Sequence, residues 1–237
     1  MVIDAVKALT FDVFGTVVDW RSSIIREVED FSRRKGVAID AASFADEWRG
    51  AYQPSMQRVR SGELPWTRLD DLHRMSLEGL LRRFGVSDAE PAEIDRLNRA
   101  WHRLSPWPDS IAGLTRLRRK YVLATLSNGN VALLVNMAKH AGLPWDCVLS
   151  AELARHYKPD PETYRMAADL LGLAPHEVMM VAAHNGDLVA ARAEGLRTAF
   201  VARPTEYGPR QTKDLRAEHD FDVVARDFVD LAGKLGT

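Results

Sequence analysis

The stretch ALTFDVFGT, residues 8–16, decides the fold prediction for the whole chain. It opens with a mostly apolar run, as in a buried strand, and the run stops at Asp12. Because aspartate is unfavourable inside a strand, Asp12 is predicted to lie where a strand meets a loop. In open parallel sheets this carboxyl end of a strand is where ligands bind. On this stretch alone, a turn carboxylate that caps the next helix is an equally good interpretation.

Strands and helices alternate in the second half of the chain. Apolar runs predict further strands at 121–126, 147–149, 178–182 and 198–201. Helices are predicted between them, at about 130–141, 158–171 and 187–194. Strands that are separated by helices pair in parallel, with the helices on both faces of the sheet. The predicted fold is therefore α/β, with a doubly wound parallel sheet.

The segment between the first strand and residue 104 contains no predicted strand. Helical patterns occur at about 22–34, 40–56, 66–84 and 91–103. Pro54 is expected to kink the second helix, whereas Pro91 suits the first turn of the fourth. Two prolines within residues 105–109 end the helical part. We expect a core domain of residues 1–19 and 105–237, with a helical cap domain of residues 20–104 lying over the strand ends.

Composition excludes several classes of partner. The 237 residues carry 32 basic and 33 acidic side chains, so nothing favours nucleic acid or a membrane surface as a partner. Cys147 is the single cysteine, which excludes an intrachain disulfide and fits a reducing compartment. No signal-peptide pattern or bilayer-length apolar run is present. We expect a soluble, cytoplasmic protein.

Polar groups follow several of the predicted strands. They are Asp12 with Thr16, Ser127 with Asn128, Lys158, and the group His184, Asn185 and Asp187. Each alone is more simply a turn residue, a helix cap or a surface side chain. Because parallel strands bring their carboxyl ends to one edge of the sheet, we expect these groups to meet. A lysine that keeps a covered carboxylate ionised, with hydroxyl and amide donors around it, is what a carboxylate nucleophile requires.

The same residues resemble the four ordered motifs of the haloacid dehalogenase superfamily. The matching segments are Phe11-Asp12-x-x-Gly15-Thr16, Leu126-Ser127-Asn128-Gly129, Tyr157-Lys158-Pro159-Asp160 and Asp187. In that superfamily the first aspartate is the nucleophile, and a helical cap commonly follows it. The resemblance implies a Rossmann-like core, a cap domain and a nucleophilic Asp12.

Two positions favour a branch of this superfamily that works without metal. Phosphate-transferring members carry a second aspartate two residues after the nucleophile, where this chain has Phe14. They also carry a metal-binding acid four residues before the last aspartate, where this chain has Ala183. Mg²⁺ prefers several oxygen ligands, whereas halide needs no proton donor in order to leave. The resemblance therefore implies a dehalogenase with no cofactor.

Further matches resemble the L-2-haloacid dehalogenases. Arg49, after Trp48, resembles the cap arginine that receives the departing halide, although a solvated helix arginine is the simpler interpretation of Arg49 alone. Tyr164 follows Lys158 at that family's Lys-Pro-x-x-x-x-Tyr spacing, and Phe14 would form an apolar wall of the halide pocket. These dehalogenases are usually homodimers, so the resemblance implies a homodimer.

The implied reaction converts short (S)-2-haloalkanoic acids to (R)-2-hydroxy acids and halide. Asp12 would displace the halide to form an ester, Arg49 would receive the halide, and Lys158 would keep Asp12 charged. Water positioned by Asp187, with help from His184 or Asn185, would then hydrolyse the ester. The side chains expected to orient Asp12 or to bind the substrate are Phe14, Thr16, Ser127, Asn128, Tyr164 and Asn185.

The fourth motif departs from the family pattern. Best-known members have Ser-Ser-Asn-x-x-Asp, whereas residues 182–187 are AAHNGD. His184 can accept a proton near neutral pH, so we expect it to act as the base, with Asp187 orienting it. A Mg-dependent phosphatase or phosphonatase and a non-catalytic protein that binds a small acid remain as alternatives. The complete set of Asp12, Lys158 and Asp187 argues against the second.

Overall fold

The computed structural model describes residues 2–237. Its strands are β1 (Ala8–Phe11), β2 (Val18–Asp19), β3 (Ser105–Pro106), β4 (Val122–Ser127), β5 (Cys147–Ser150), β6 (Val178–Ala182), β7 (Arg197–Val201) and β8 (Val223–Ala225). Its α-helices are α1 (Trp20–Lys35), α2 (Ala41–Gly50), α3 (Tyr52–Arg60), α4 (Leu69–Arg83), α5 (Pro91–Asn98), α6 (Ser110–Leu117), α7 (Val131–Ala141), α8 (Ala151–Ala154), α9 (Pro161–Leu171), α10 (Asn185–Ala193) and α11 (Phe228–Lys234). Within these residues no helix is both long and apolar enough to cross a membrane.

Six of the strands form one parallel sheet in the order β5-β4-β1-β6-β7-β8. The central strand β1 pairs with β4 on one side and with β6 on the other, and its four residues are buried. Neighbouring residues of one strand enter different apolar clusters; Met179 packs into one and Met180 into the other. Because successive side chains of a strand point to opposite faces, the core lies on both sides of the sheet. The predicted doubly wound α/β fold is confirmed.

Three short strands were not predicted. The strand β8 extends the sheet beyond β7, although the strand predicted at 198–201 was expected to be the last. The strands β2 and β3 pair with each other in antiparallel fashion, outside the main sheet. Two or three residues are too few for an apolar pattern to stand out, and β3 contains a proline, which disfavours a strand prediction.

The segment from Trp20 to Arg103 is helical, as predicted, with shifted boundaries. Helix α1 begins earlier than expected because the Asp19 carboxylate accepts a hydrogen bond from the Ser22 amide, and it ends at Gly36 in the left-handed conformation. The kink expected at Pro54 is a break: α2 ends at Gly50, and α3 carries the proline in its first turn. Since proline has no amide hydrogen, it is tolerated in the first turn.

The antiparallel pair of β2 and β3 lies where the chain enters and leaves the helical segment. Beside it, the Ser110 hydroxyl donates to the carbonyl of Val17 at 2.7 Å, and the Trp107 indole donates to the carbonyl of Gly15 at 2.8 Å. These bonds fasten the returning chain to the segment after Asp12. We therefore propose the core of 1–19 and 105–237 and the cap of 20–104 as the two domains, joined at this ribbon.

Candidate active site

A cleft of about 460 Å³ opens between the carboxyl ends of the strands and the helices α2 and α3. The sheet register explains its position, because β1, β4 and β6 end side by side. The predicted site residues that line the cleft are Asp12, Phe14, Arg49, Asn128, Lys158, Tyr164, His184 and Asp187.

Asp12 follows β1 directly, and its side chain is almost fully buried. Its Oδ2 accepts a hydrogen bond from the Thr16 hydroxyl at 2.7 Å and lies 3.1 Å from Nδ1 of His184. Its Oδ1 accepts from Nζ of Lys158 at 3.0 Å. Burial alone would raise the pKa of Asp12, but Lys158, His184 and Thr16 lower it well below its usual value. Asp12 is therefore an ionised carboxylate whose Oδ1 has fewer donors than Oδ2.

Lys158 connects the two aspartates of the cleft. Its Nζ lies 3.0 Å from Oδ1 of Asp12 and 2.6 Å from Oδ2 of Asp187. Asn128 fixes the backbone, since its Oδ1 accepts a hydrogen bond from the amide of Lys158 at 2.8 Å. Burial disfavours the ammonium form, yet the two carboxylates raise the pKa of Lys158 above its usual value. The lysine therefore remains charged between two anions.

Asp187 lies in the first turn of α10, with a hydrogen bond on each oxygen. Oδ2 accepts from Lys158, and Oδ1 accepts from the Tyr164 hydroxyl at 2.6 Å. Burial and the Asp187 carboxylate raise the pKa of Tyr164, which keeps the phenol a hydrogen-bond donor. Asp187 thus holds Lys158, and its hydrogen bonds do not reach His184. The expected pairing of Asp187 with His184 is replaced in the structure by a different carboxylate.

That carboxylate belongs to Glu206. His184 lies just before α10 with Nδ1 facing Asp12, and its Nε2 lies 2.9 Å from Oε2 of Glu206. Burial would lower the pKa of His184, but Glu206 and Asp12 raise it well above its usual value. While both carboxylates are ionised, His184 is an imidazolium that bridges them.

The sequence analysis did not mark Glu206, because it lies in an irregular loop after β7 and belongs to none of the matched motifs. The Glu206 carboxylate lies beside Gly15. A Cβ added to Gly15 would be only 2.1 Å from Oε1 of Glu206. Gly15 also has a φ of +85°, so both the close approach and the backbone conformation require glycine. The Gly15 of the first motif thus makes room for a residue that the motif does not contain.

Arg49 forms the other side of the cleft. Its guanidinium lies over the ring of Tyr52 at 4.1 Å and over that of Trp20 at 5.4 Å. Its Nη1 is buried and has no hydrogen-bond partner among the described residues. Phe14 lines the same cleft and packs edge-on against Trp101. A buried cation with a free donor beside an apolar wall suits a small, weakly hydrated anion.

Three predicted residues do not line the cleft. Thr16 is buried, and its hydroxyl accepts a hydrogen bond from the Ala183 amide and donates one to Asp12. The Ser127 hydroxyl is buried and accepts a hydrogen bond from the amide of Gly129 at 3.1 Å. Asn185 turns away, donating to Asp214 at 2.9 Å and to the carbonyl of Arg216 at 3.1 Å. Thr16 therefore positions Asp12, whereas the side chains of Ser127 and Asn185 fix loops, and the structure does not bring them to the substrate space.

The donor set of the cleft does not fit Mg²⁺. Asp12 and Asp187 are both bonded to Lys158. Position 183 is a buried alanine, and the Phe14 side chain packs in an aromatic cluster. Mg²⁺ needs near-ideal octahedral coordination by oxygen, which two carboxylates shared with an ammonium group supply poorly.

Comparison with known proteins identifies the class. The family model of haloacid dehalogenase-like hydrolases matches residues 6–195. (S)-2-haloacid dehalogenase 4A of Burkholderia cepacia is 32% identical over 219 residues, which cover 86% of this chain and 88% of that protein.

Solved structures agree with this class. A defluorinating L-2-haloacid dehalogenase superposes with a TM-score of 0.96 at 50% identity, covering 98% of this chain and 96% of that one. The L-2-haloacid dehalogenase of Xanthobacter autotrophicus, solved with chloropropionic acid covalently bound, superposes with a TM-score of 0.79 at 25% identity, covering 96% and 97%. The chain therefore belongs to the haloacid dehalogenase-like hydrolases, and within them to the L-2-haloacid dehalogenase family, whose members act on carbon–halide bonds.

Proposed function

We propose that this protein hydrolyses short (S)-2-haloalkanoic acids to (R)-2-hydroxy acids, through an ester on Asp12 and without a metal ion. The observation that carries this proposal is the pairing of an ionised, lysine-bound Asp12 with a buried arginine that retains a free donor in the same cleft. The covalent chloropropionic acid complex of the Xanthobacter relative supports the ester step by similarity.

In the first step Oδ1 of Asp12 attacks the 2-carbon of the substrate. The bond from Oδ1 to carbon forms as the carbon–halogen bond breaks, and the halide leaves with the bonding electrons. Attack from the side opposite the halide inverts the configuration. Oδ1 is the better nucleophile of the two oxygens, because Thr16 and His184 both hold Oδ2. Arg49 stabilises the charge that develops on the leaving halide, which is an interaction made mainly in the transition state.

In the second step water attacks Cγ of Asp12, and His184 takes one of its protons. The tetrahedral intermediate then breaks the bond between Cγ and Oδ1. Lys158, with Nζ 3.0 Å from that oxygen, protonates the departing alkoxide and recovers a proton from the regenerated carboxyl group. The oxygen of the product hydroxyl therefore comes from Asp12, and the oxygen of water enters Asp12.

A parallel assay of two activities tests the proposal. Purified protein is given a panel of 2-chloro-, 2-bromo- and 2-fluoroacids of both configurations, with halide release measured in EDTA. The same protein is given phosphate esters with Mg²⁺ and assayed for phosphate. We expect halide release from (S)-substrates, with Asp12→Asn as the inactive control. Phosphate release without halide release would favour the phosphatase alternative, and binding of a haloacid without turnover would favour a non-catalytic protein.

A further inference from the structure

Glu206 is a buried acid that the two steps above do not use. Its carboxylate is nearly inaccessible to solvent, and its two oxygens have different partners. Oε1 accepts a hydrogen bond from the Trp20 indole at 3.0 Å, and Oε2 lies 2.9 Å from Nε2 of His184. Two further groups lie near this end of the imidazole: the Tyr207 hydroxyl, 3.5 Å from Nε2, and the Arg49 guanidinium, whose charge helps to lower the pKa of Glu206. A buried carboxylate with such defined partners is expected to have a structural or functional role.

We propose that Glu206 is a positioning residue that places the proton of neutral His184 on Nε2, so that Nδ1 is the basic nitrogen that faces Asp12. An ionised carboxylate only accepts hydrogen bonds, so the nitrogen that faces Glu206 carries a proton. The other nitrogen, Nδ1, lies 3.1 Å from Oδ2 of Asp12 and thus beside the carbon that water attacks. This inference rests on the proposed function and adds a residue to its second step.

Esterification of Asp12 provides the switch that makes His184 a base. Before it, Asp12 and Glu206 are both anions, and each holds one proton of the imidazolium. Once Asp12 is an ester, its oxygens carry no full charge, and the proton on Nδ1 is released to solvent. Glu206 keeps the proton on Nε2, and the lone pair on Nδ1 accepts a proton from the attacking water. The imidazolium that results can then donate to Oδ2 of the tetrahedral intermediate, as Thr16 does.

The structure shows why Glu206→Gln is a sharp test. The Trp20 indole can only donate, so it holds the oxygen of an introduced amide on its own side. The amide NH₂ group then faces Nε2 of His184, which must accept. This forces the proton onto Nδ1, the wrong nitrogen for catalysis. The substitution keeps the size of the side chain and reverses the tautomer.

Rapid-quench measurements separate the two steps in this variant. We expect Glu206→Gln to release halide in the first turnover within a few-fold of the wild-type rate. Hydrolysis of the ester should slow on the order of 10²–10⁴-fold, the range for losing a general base or its correct tautomer. Mass spectrometry should show the substrate adduct accumulating on the peptide that contains Asp12. Glu194→Gln, a substitution of the same type at an Arg165 partner outside the cleft, should behave as wild type.

A double variant distinguishes positioning from structural damage. His184→Asn should stall ester hydrolysis, and adding Glu206→Gln should slow it no further, because the effects of residues that act as a unit are not additive.

The pH dependence of ester hydrolysis is an independent test of the same pairing. Hydrolysis rises with pH as His184 loses its proton, and Glu206 raises the pKa of His184. In Glu206→Gln the rise should therefore move to lower pH, with a lower plateau.

Nuclear magnetic resonance of ¹⁵N-histidine-labelled protein tests the pairing without any turnover. In wild type we expect His184 to titrate well above an ordinary histidine, and in Glu206→Gln to titrate lower. If wild type forms no adduct while this titration is as expected, the proposed function fails and the pairing stands. Ester hydrolysis by Glu206→Gln within a few-fold of wild type, equal slowing of both steps, or further slowing on the His184→Asn background would each overturn the inference.

Discussion

The two sides of the cleft differ in how completely their polar groups are hydrogen-bonded. On the sheet side, one continuous hydrogen-bond network joins five side chains. Asp12 accepts from Thr16 and Lys158, and Asp187 accepts from Lys158 and Tyr164. On the cap side, the guanidinium of Arg49 lies against aromatic rings, and one of its nitrogens has no described partner. On the sheet side, therefore, each of these side chains is hydrogen-bonded in the resting protein, whereas the cap side holds a buried arginine with a free donor.

The cap side is also a strongly desolvating environment. Burial lowers the pKa of His73, which packs against Tyr52 and Trp48, to about 3. In such surroundings a charge interaction is stronger than in water. In the proposed reaction, the sheet side holds Asp12 in position before the substrate binds, while the cap side holds a donor for charge that develops only during the reaction.

Loss of the nucleophile should have the largest effect. Asp12→Asn removes the attacking oxygen, so we expect halide release to fall on the order of 10⁴-fold or more, as for other enzymes that lose a nucleophile. The fold should survive, because an amide can still accept from Thr16. Halide assays, with circular dichroism as the control, check this. Activity within tenfold of wild type would mean that Asp12 is not the attacking group.

Arg49→Ala should have the next largest effect. The change removes the unmatched donor on the cap side, and we expect first-turnover halide release to slow about a hundredfold, the scale for losing one such donor. Arg82→Ala, a cap-helix substitution outside the cleft, is the matched control. If the two variants behaved alike, Arg49 would be an ordinary structural arginine, and the contrast between the two sides would be lost.

Tyr164→Phe should have a smaller effect on the sheet side. It removes the hydroxyl that holds Asp187 but leaves Lys158 in contact with both aspartates. We expect turnover to fall about tenfold, which corresponds to the lower end of the roughly 1.5–3 kcal/mol for one hydrogen bond to a charged group. Steady-state kinetics measure the change. A loss as large as that of Asp12→Asn would show that the Tyr164 hydroxyl, which lines the cleft, acts directly in the reaction.

Chelation should have no effect on turnover. The positions that supply a second acid and a metal-binding acid in Mg-dependent members are Phe14 and Ala183 here, and Lys158 holds both aspartates, so the proposed reaction needs no metal ion. Halide release should be the same before and after dialysis against EDTA. Activity that disappears in EDTA and returns with Mg²⁺ would contradict the metal-free account.

The sequence predicted the sheet side better than the cap side for a physical reason. Parallel pairing brings the segments that follow the strands to one edge of the sheet, and the order of the matched motifs singled out Asp12, Lys158 and Asp187 within those segments. Asn185 shows the limit of the argument. His184 lies just before α10 and Asp187 in its first turn, and both reach the cleft, whereas the side chain of Asn185 between them bonds to Asp214.

Glu206 could not be predicted from one sequence. It follows β7 at the same distance as Asp187 follows β6, but it lies in an irregular stretch and belongs to none of the matched motifs. Its place is set by tertiary contacts with Gly15, Trp20 and His184. The strand β8 escaped prediction in the same region, because three residues with alternating burial give too short a pattern.

The central claim is that water attacks Asp12 rather than the substrate carbon. A single turnover in H₂¹⁸O, with protein in excess over an (S)-2-haloacid and with EDTA present, tests it most directly. The account predicts that the peptide containing Asp12 gains heavy oxygen and that the 2-hydroxy acid contains none. Heavy oxygen in the product, with an unlabelled Asp12 peptide, would contradict it.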